Sequence, residues 1–267
     1  MRRAWELVAV PLRAARRAGT VWGISLVILI GLTIAFYPSF RDSSGIEDIM
    51  ADIPQPLIDA FGLADFNSPA GFLRGNLYAV LVPLLLAVAG VLLMNGQTAT
   101  DEDSGRMEPY LAQPVTRVSI FLGRVAAVLF WLLVIGLLVL ATQLVADELV
   151  DLEIATDRIV PTVILCVLLG VLHAAVAALV AGWTGRPGLV LGVGMALAVG
   201  GYVVMALFPL SDVLEPWRNV SPWAWALAGD PLVNETEAWR YLALIGPAAL
   251  LIAAGTWLFR MRDVQAG

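Results

Sequence analysis

The sequence contains no lysine, one cysteine and one histidine among 267 residues. A lone cysteine, Cys166, excludes a disulfide framework and a paired-thiol metal site. A lone histidine, His173, has no second histidine, cysteine pair or carboxylate within an apolar run, which excludes a metal centre of ordinary ligand count. Charged residues make up only 14% of the chain, whereas soluble domains carry about a quarter. There is no G-x-x-x-x-G-K-[ST] phosphate loop, no H-E-x-x-H, no G-x-S-x-G and no paired carboxylate inside an apolar run. These absences predict a chain that is not an enzyme and binds no cofactor of its own.

What is abundant is uncharged, apolar sequence. Hydrophobic residues account for 60% of the chain, and the mean hydropathy is +0.84. Counting His173 as neutral, six runs lack any charge: Ala18–Phe40, Gly75–Thr100, Val125–Ala146, Ile159–Gly185, Pro187–Ser211 and Tyr241–Phe259. A helix of about 20 apolar residues crosses the hydrocarbon core, and a helix satisfies its own backbone in lipid. The fold class expected is therefore an all-α membrane protein forming one transmembrane domain over 1–267. Its six transmembrane helices fall near 20–40, 75–96, 118–146, 159–183, 188–209 and 240–260. The first run lacks an A-x-A site and follows a basic segment, so it reads as a span rather than a signal peptide.

Six spans put both termini on one side. That side carries 11 arginines against 6 acids, and the opposite side 5 arginines against 16 acids. Arginine excess marks the cytoplasmic face. The expected location is the inner (plasma) membrane, multi-pass, with both termini cytoplasmic. The pI of 4.8 then reflects the outer loops and gives no sign of a nucleic-acid partner.

Outside the spans, residues 1–19 read as an N-terminal amphipathic interfacial helix. Trp5, Val8, Ala9 and Leu12 share one face, and Pro11 kinks or restarts the helix. The outer loop 41–74 carries Ile46, Ile49, Met50 and Ile53 at helical spacing, which predicts a short surface helix. The outer segment 212–240 holds Trp217, Trp223, Trp225 and Trp239 among several prolines, which predicts short re-entrant outer helices before the last span. Small residues recur every fourth position at Gly170, Ala174, Ala178 and Gly182, and again at Gly188, Gly192, Ala196 and Gly200. Such stripes let helix backbones approach closely. Asn95, Gln97 and Gln143 lie near span ends and read as interhelical hydrogen-bonding groups. His173 lies mid-span, where ionisable groups mark transport paths, although a neutral histidine also serves as a plain hydrogen-bonding partner.

The most unusual polar stretch is Asp101–Arg117, DEDSGRMEPYLAQPVTR. Met107, Tyr110 and Leu111 form an apolar stripe closed by Pro114, so a short helix ending near Ala112 is expected. Periodicity alone fits an inert interfacial turn equally well. The motif content goes further. Glu102, Gly105 and Glu108, then Gln113, Pro114, Val115, Thr116 and Arg117, resemble the E-x-x-G-x-x-E and Q-P-V-[ST]-R elements in the cytoplasmic loop of ABC type-2 exporter permeases. Arg106 and Pro109 depart from the usual threonine and leucine. IPQPLIDAFG, SPAGF, NVSPWAWALAGDPL and FRMRDV extend the resemblance with weaker motifs.

That resemblance implies a permease subunit of an ATP-driven exporter. The loop 97–117 acts in such proteins as a coupling helix against a separate ABC ATP-binding subunit, present in two copies, which holds ATP and Mg. It further implies pairing with a second copy or a related permease, and transport between the two halves; spans two and five, the latter carrying the Gly188–Gly200 stripe, are candidates to line that path. The contact set is then Glu102, Gly105, Met107, Glu108, Tyr110, Leu111, Pro114 and Arg117. His173, Trp223 and Trp225 are candidates for the substrate path or gate. The lack of fixed charge in the spans points to an amphipathic or hydrophobic substrate. Two other readings stay open: a permease-like subunit supporting maturation of an extracytoplasmic enzyme, and a membrane scaffold without transport activity.

Overall fold

The computed structural model describes residues 2–41, 68–111 and 115–262, with the side chains of residues 2–5, 110 and 111 outside the description. The short helix expected over 46–53 lies outside the described residues. Among the described residues, six helices are long and apolar enough to cross a membrane, beginning with Glu6–Arg41 and ending with Ala238–Met261. No strand occurs among the described residues. The protein is an all-α, multi-pass membrane protein.

Helix α1 runs Arg2–Ala35 and is continued by α2, Tyr37–Arg41. The restart expected at Pro11 is absent: α1 passes through it as one helix. A proline at position 11 cannot donate to the Leu7 carbonyl. That carbonyl faces Gly123, where a Cβ would collide with it. The Trp131 indole also donates to the Leu12 carbonyl at 3.1 Å. The N-terminal segment therefore packs along the start of the third span.

The second span is compound. Ser68 caps α3, Pro69–Leu73, by accepting from the Gly71 N–H, and a π turn follows over Arg74–Tyr78. Helix α4, Leu81–Gln97, then resumes, with Pro83 unable to donate to the Ala79 carbonyl. Two short inner helices follow, α5 (Ala99–Asp103) and α6 (Glu108–Leu111). Helix α7 covers Arg117–Val150 and α8 covers Thr156–Thr184, joined by a turn at the left-handed Asp151 and Glu153. Gly185, at φ 64°, closes α8, and Pro187 opens α9, Pro187–Leu207. The outer segment contains a 3-10 turn over Glu215–Val220, α10 (Pro222–Leu227) and then α11, Ala238–Met261.

Burial separates the spans into two kinds. The most apolar windows of the second and fourth spans are 61% and 67% buried, and those of the first, fifth and sixth only 28%. Helices α4 and α8 are thus the centre, with α1, α7, α9 and α11 around them. Exposed Ile24, Ile28, Leu32, Leu133, Leu137 and Leu250 present apolar side chains outward, as a lipid-facing surface requires.

The small-residue stripe of α8 is used within the chain. A Cβ at Gly170 would meet the Leu86 carbonyl of α4, and one at Gly182 the Gly255 carbonyl of α11. Gly182→Ala should therefore force α8 and α11 apart and lower stability by about 1–3 kcal/mol, read as a lower midpoint in detergent-based thermal unfolding. An unshifted midpoint would mean that the two backbones do not meet there. The stripe of α9 behaves differently: a Cβ added at Gly188, Gly192 or Gly200 would meet nothing within 4 Å. Between α7 and the π turn, buried Tyr78 donates to Gln143 at 3.1 Å, as expected of Gln143. The side chain of Asn95 instead bonds locally to Thr100 at 3.2 Å.

Contacts between loops sort by end of the bundle. Arg74 pairs with Asp230, and Arg158 approaches Glu235 at 3.7 Å, at one end. Glu102, Arg117, Gly185 and Arg262 gather at the other. This is the alternation that six crossings demand.

Candidate functional site

The inner loop starts where α4 stops. Thr98 leaves helical geometry, and its hydroxyl donates to the Met94 carbonyl at 2.5 Å. Acids Asp101 and Glu102 occupy the first turn of α5, where the helix dipole favours them. Ser104 donates to the Thr100 carbonyl at 2.8 Å. Gly105, at φ 70°, then reverses the chain, a conformation glycine adopts without a Cβ penalty. The Met107 N–H returns to the Asp101 carbonyl at 3.2 Å. Past α6, Thr116 caps α7 by accepting from the Ser119 N–H at 3.1 Å.

Buried and half-buried charges fasten this loop. Arg124, 3% exposed, donates to the Gln97 carbonyl and reaches Asp101 at 2.5 Å. Glu102, 6% exposed, accepts from Arg262 at 2.6 Å. The Arg262 guanidinium stands against Gly185, whose φ of 64° favours glycine. The Arg262 carbonyl accepts from Arg117 at 2.6 Å. The loop thereby ties together the end of α4, the start of α7, the α8–α9 turn and the end of α11.

Placement of the expected contact residues is mixed. Glu108 is exposed, and Gly105 forms the turn beside it. Met107, expected as an outward apolar anchor, is buried in its own chain at 1% exposure. Glu102 likewise faces inward, on Arg262. Arg117 reaches across to the end of α11. Pro114 and the side chains of Tyr110 and Leu111 lie outside the described residues. Sequence reasoning missed the role of Arg124 and Arg262. Both stand in recognisable motifs, L-G-R and F-R-M-R-D-V, but their partners are distant in the chain.

At the opposite end, the outer segment folds back over α9. Ser221 donates to the Gly201 carbonyl at 2.6 Å and caps α10. Trp223 is fully buried, its ring 5.4 Å from that of Tyr202. Arg240 donates to the Trp225 carbonyl at 3.0 Å, while its guanidinium lies 4.9 Å from the Trp239 ring centre. Burial lowers the pKa of Arg218; the Glu215 carboxylate opposes this and Arg240 adds to it.

Beneath this cover lies a cavity of about 330 Å³, lined by His173, Leu197, Gly200, Ser221, Trp225 and Leu251 among others. His173 is engaged through Nδ1 with the Leu169 carbonyl at 2.8 Å, so it is a hydrogen-bonded polar group on a wall that, Ser221 and Trp225 apart, is apolar. The structure brings His173 and Trp225 to one cavity. Trp223 packs behind it and is not among its lining residues. No group of three or more metal-ligating residues occurs among the described residues.

A family model described as the C-terminal domain of the multidrug efflux system permease Rv1217c matches residues 6–260. A search of curated proteins finds no match. Matched over nearly its whole length, and built of six apolar helices around a polar inner loop, the chain belongs to this family of multidrug efflux permeases.

Proposed function

We propose that this chain is the membrane subunit of an ATP-driven exporter, and that its inner loop docks on a separate ATP-binding subunit carrying ATP and Mg. The observation that carries this reading is the division of labour within 101–117. Asp101, Glu102 and Met107 are locked into the membrane domain, while Arg106 and Glu108 are turned outward. An element that transmits force needs such a stiff base and an exposed face. The ion pairs to Arg124 and Arg262 would carry a displacement of the loop to α7 and α11.

The arginine asymmetry supports placing both termini and this loop on the cytoplasmic side of the inner membrane. The substrate is amphipathic or hydrophobic: the spans carry few fixed charges, and the family's multidrug description suits apolar compounds of varied structure. A second copy of the chain completes the transporter. The open face of α9, with Gly188, Gly192 and Gly200 uncovered, supports close helix contact with it.

The test is stoichiometry. The tagged chain, purified with its candidate ATP-binding subunit in mild detergent, should elute with two copies of each. An assembly with one copy of this chain and no second permease would refute the proposal.

A further inference from the structure

One stripe of α1 faces away from the bundle. At about 100° per residue, Val21, Ile24, Ile28 and Leu32 share a single face, and each is more than half exposed. The opposite face, through Ala15, Leu26, Ile30 and Ile34, is buried, and Gly19 on that side lies against the Trp131 ring of α7. Followed toward the inner end, the exposed stripe runs directly into Arg17 and Arg13, both exposed, with exposed Arg16 to one side.

Helix geometry sets the depth of these arginines. Helix α1 is continuous from Arg2 to Ala35. At about 1.5 Å per residue, Arg17 lies about 6 Å below Val21 and Arg13 about 12 Å below it. The headgroup layer is about 5–7 Å thick on each side of the hydrocarbon core. Arg17 therefore stands in that layer and Arg13 at its aqueous edge. No ion pair of Arg13, Arg16 or Arg17 occurs among the described residues. Residues 6–20 carry these three arginines against a single acid, Glu6. Glu6 is exposed and lies seven residues before Arg13, about 10 Å along the helix. Asp101, on the inner loop, is engaged by Arg106 and Arg124.

We infer that this face of α1 binds anionic phospholipids of the adjoining leaflet, with Arg13 and Arg17 holding the phosphate. A guanidinium meets a phosphate through two parallel N–H donors. A zwitterionic lipid presents the same phosphate but cancels its charge with its own ammonium, so a basic patch at the membrane surface favours lipids of net negative charge. The occupant is lipid because the same face, one turn above Arg17, is already apolar and turned outward at Val21. The inference concerns the membrane subunit alone and stands apart from the ATP-driven reading.

Native mass spectrometry of the purified full chain, with equal amounts of phosphatidylglycerol and phosphatidylcholine, tests it. Bound phosphatidylglycerol should exceed bound phosphatidylcholine. Arg17→Ala should lower that ratio about fivefold, and Arg13→Ala with Arg17→Ala about twentyfold, the effects of one and of two basic residues near a lipid surface. Both positions are exposed and without ion pairs among the described residues, so the unfolding midpoint should stay unchanged and the variants remain comparable. Equal retention of the two lipids by the unaltered chain, or a ratio unmoved in the double variant, overturns the site. A second copy of the chain on this face is the competing occupant. In native membranes Arg17→Cys should give no disulfide-linked dimer on mild oxidation, the native Cys166 being buried. An efficient dimer through that position overturns the lipid assignment.

Discussion

Arg124→Ala should destabilise the protein by about 3 kcal/mol, the lower end of the range for breaking a buried charge pair. Arg124 is 3% exposed and holds two acceptors at once, the Gln97 carbonyl that ends α4 and the Asp101 carboxylate that begins α5. Truncation leaves the carbonyl without its donor and the carboxylate with Arg106 alone. That remaining pair keeps the effect from reaching the upper end of the range. Arg124→Lys should recover only part of the loss, because both bonds leave Arg124 Nη1 and the shorter lysine side chain does not carry its ammonium as far as that nitrogen. Arg106→Ala, which removes an exposed partner of the same carboxylate, should stay within about 0.5 kcal/mol of the unaltered protein. Thermal unfolding in detergent reads all three. Equal midpoints for Arg124→Ala and Arg106→Ala would show that the inner loop is not fastened through Arg124.

The second large effect concerns activity. Glu108→Ala combined with Tyr110→Ala should abolish ATP-dependent transport and weaken co-purification of the ATP-binding subunit. Expression and unfolding temperature should remain near those of the unaltered chain. Glu108 is exposed, whereas Glu102 of the same loop is buried against Arg262. Truncating one member of a desolvated charge pair at an interface costs about 2–5 kcal/mol of binding, and tyrosine is a frequent anchor in such contacts. Substrate-stimulated hydrolysis and co-purification are the two readouts. Unaltered values for both would return the loop to the status of an inert turn and remove the basis for an ATP-driven mechanism.

Much of this architecture was legible in the residues. The six spans follow from runs without charge, a strictly local property. The Ser-Pro pairs at 68–69 and 221–222 start helices because serine accepts a first-turn N–H and proline fits a first helical position. The turn at Gly105 and the short helix after it were readable for similar local reasons. Less legible was which way each loop side chain points. Met107, Tyr110 and Leu111 form one stripe in the sequence, yet Met107 turns into the core because Gly105 reverses the chain just before it. The packing of α1 around Pro11 was hidden as well, since Gly123 and Trp131, which meet the Leu7 and Leu12 carbonyls, belong to another helix.

By itself the sequence determined that this chain is a six-helix membrane protein with its arginines concentrated at one end. Length, apolarity and charge placement act on each segment independently of its neighbours. Tertiary structure alone decided that α4 and α8 form the centre, because lipid and protein interior are equally apolar and hydropathy cannot tell a buried span from a lipid-facing one. It also decided the ionic frame at the inner end. Glu102 and Arg262 are 160 residues apart in the chain, and only the packing of α11 on α8, close enough for Gly182 to meet Gly255, brings that arginine to that carboxylate.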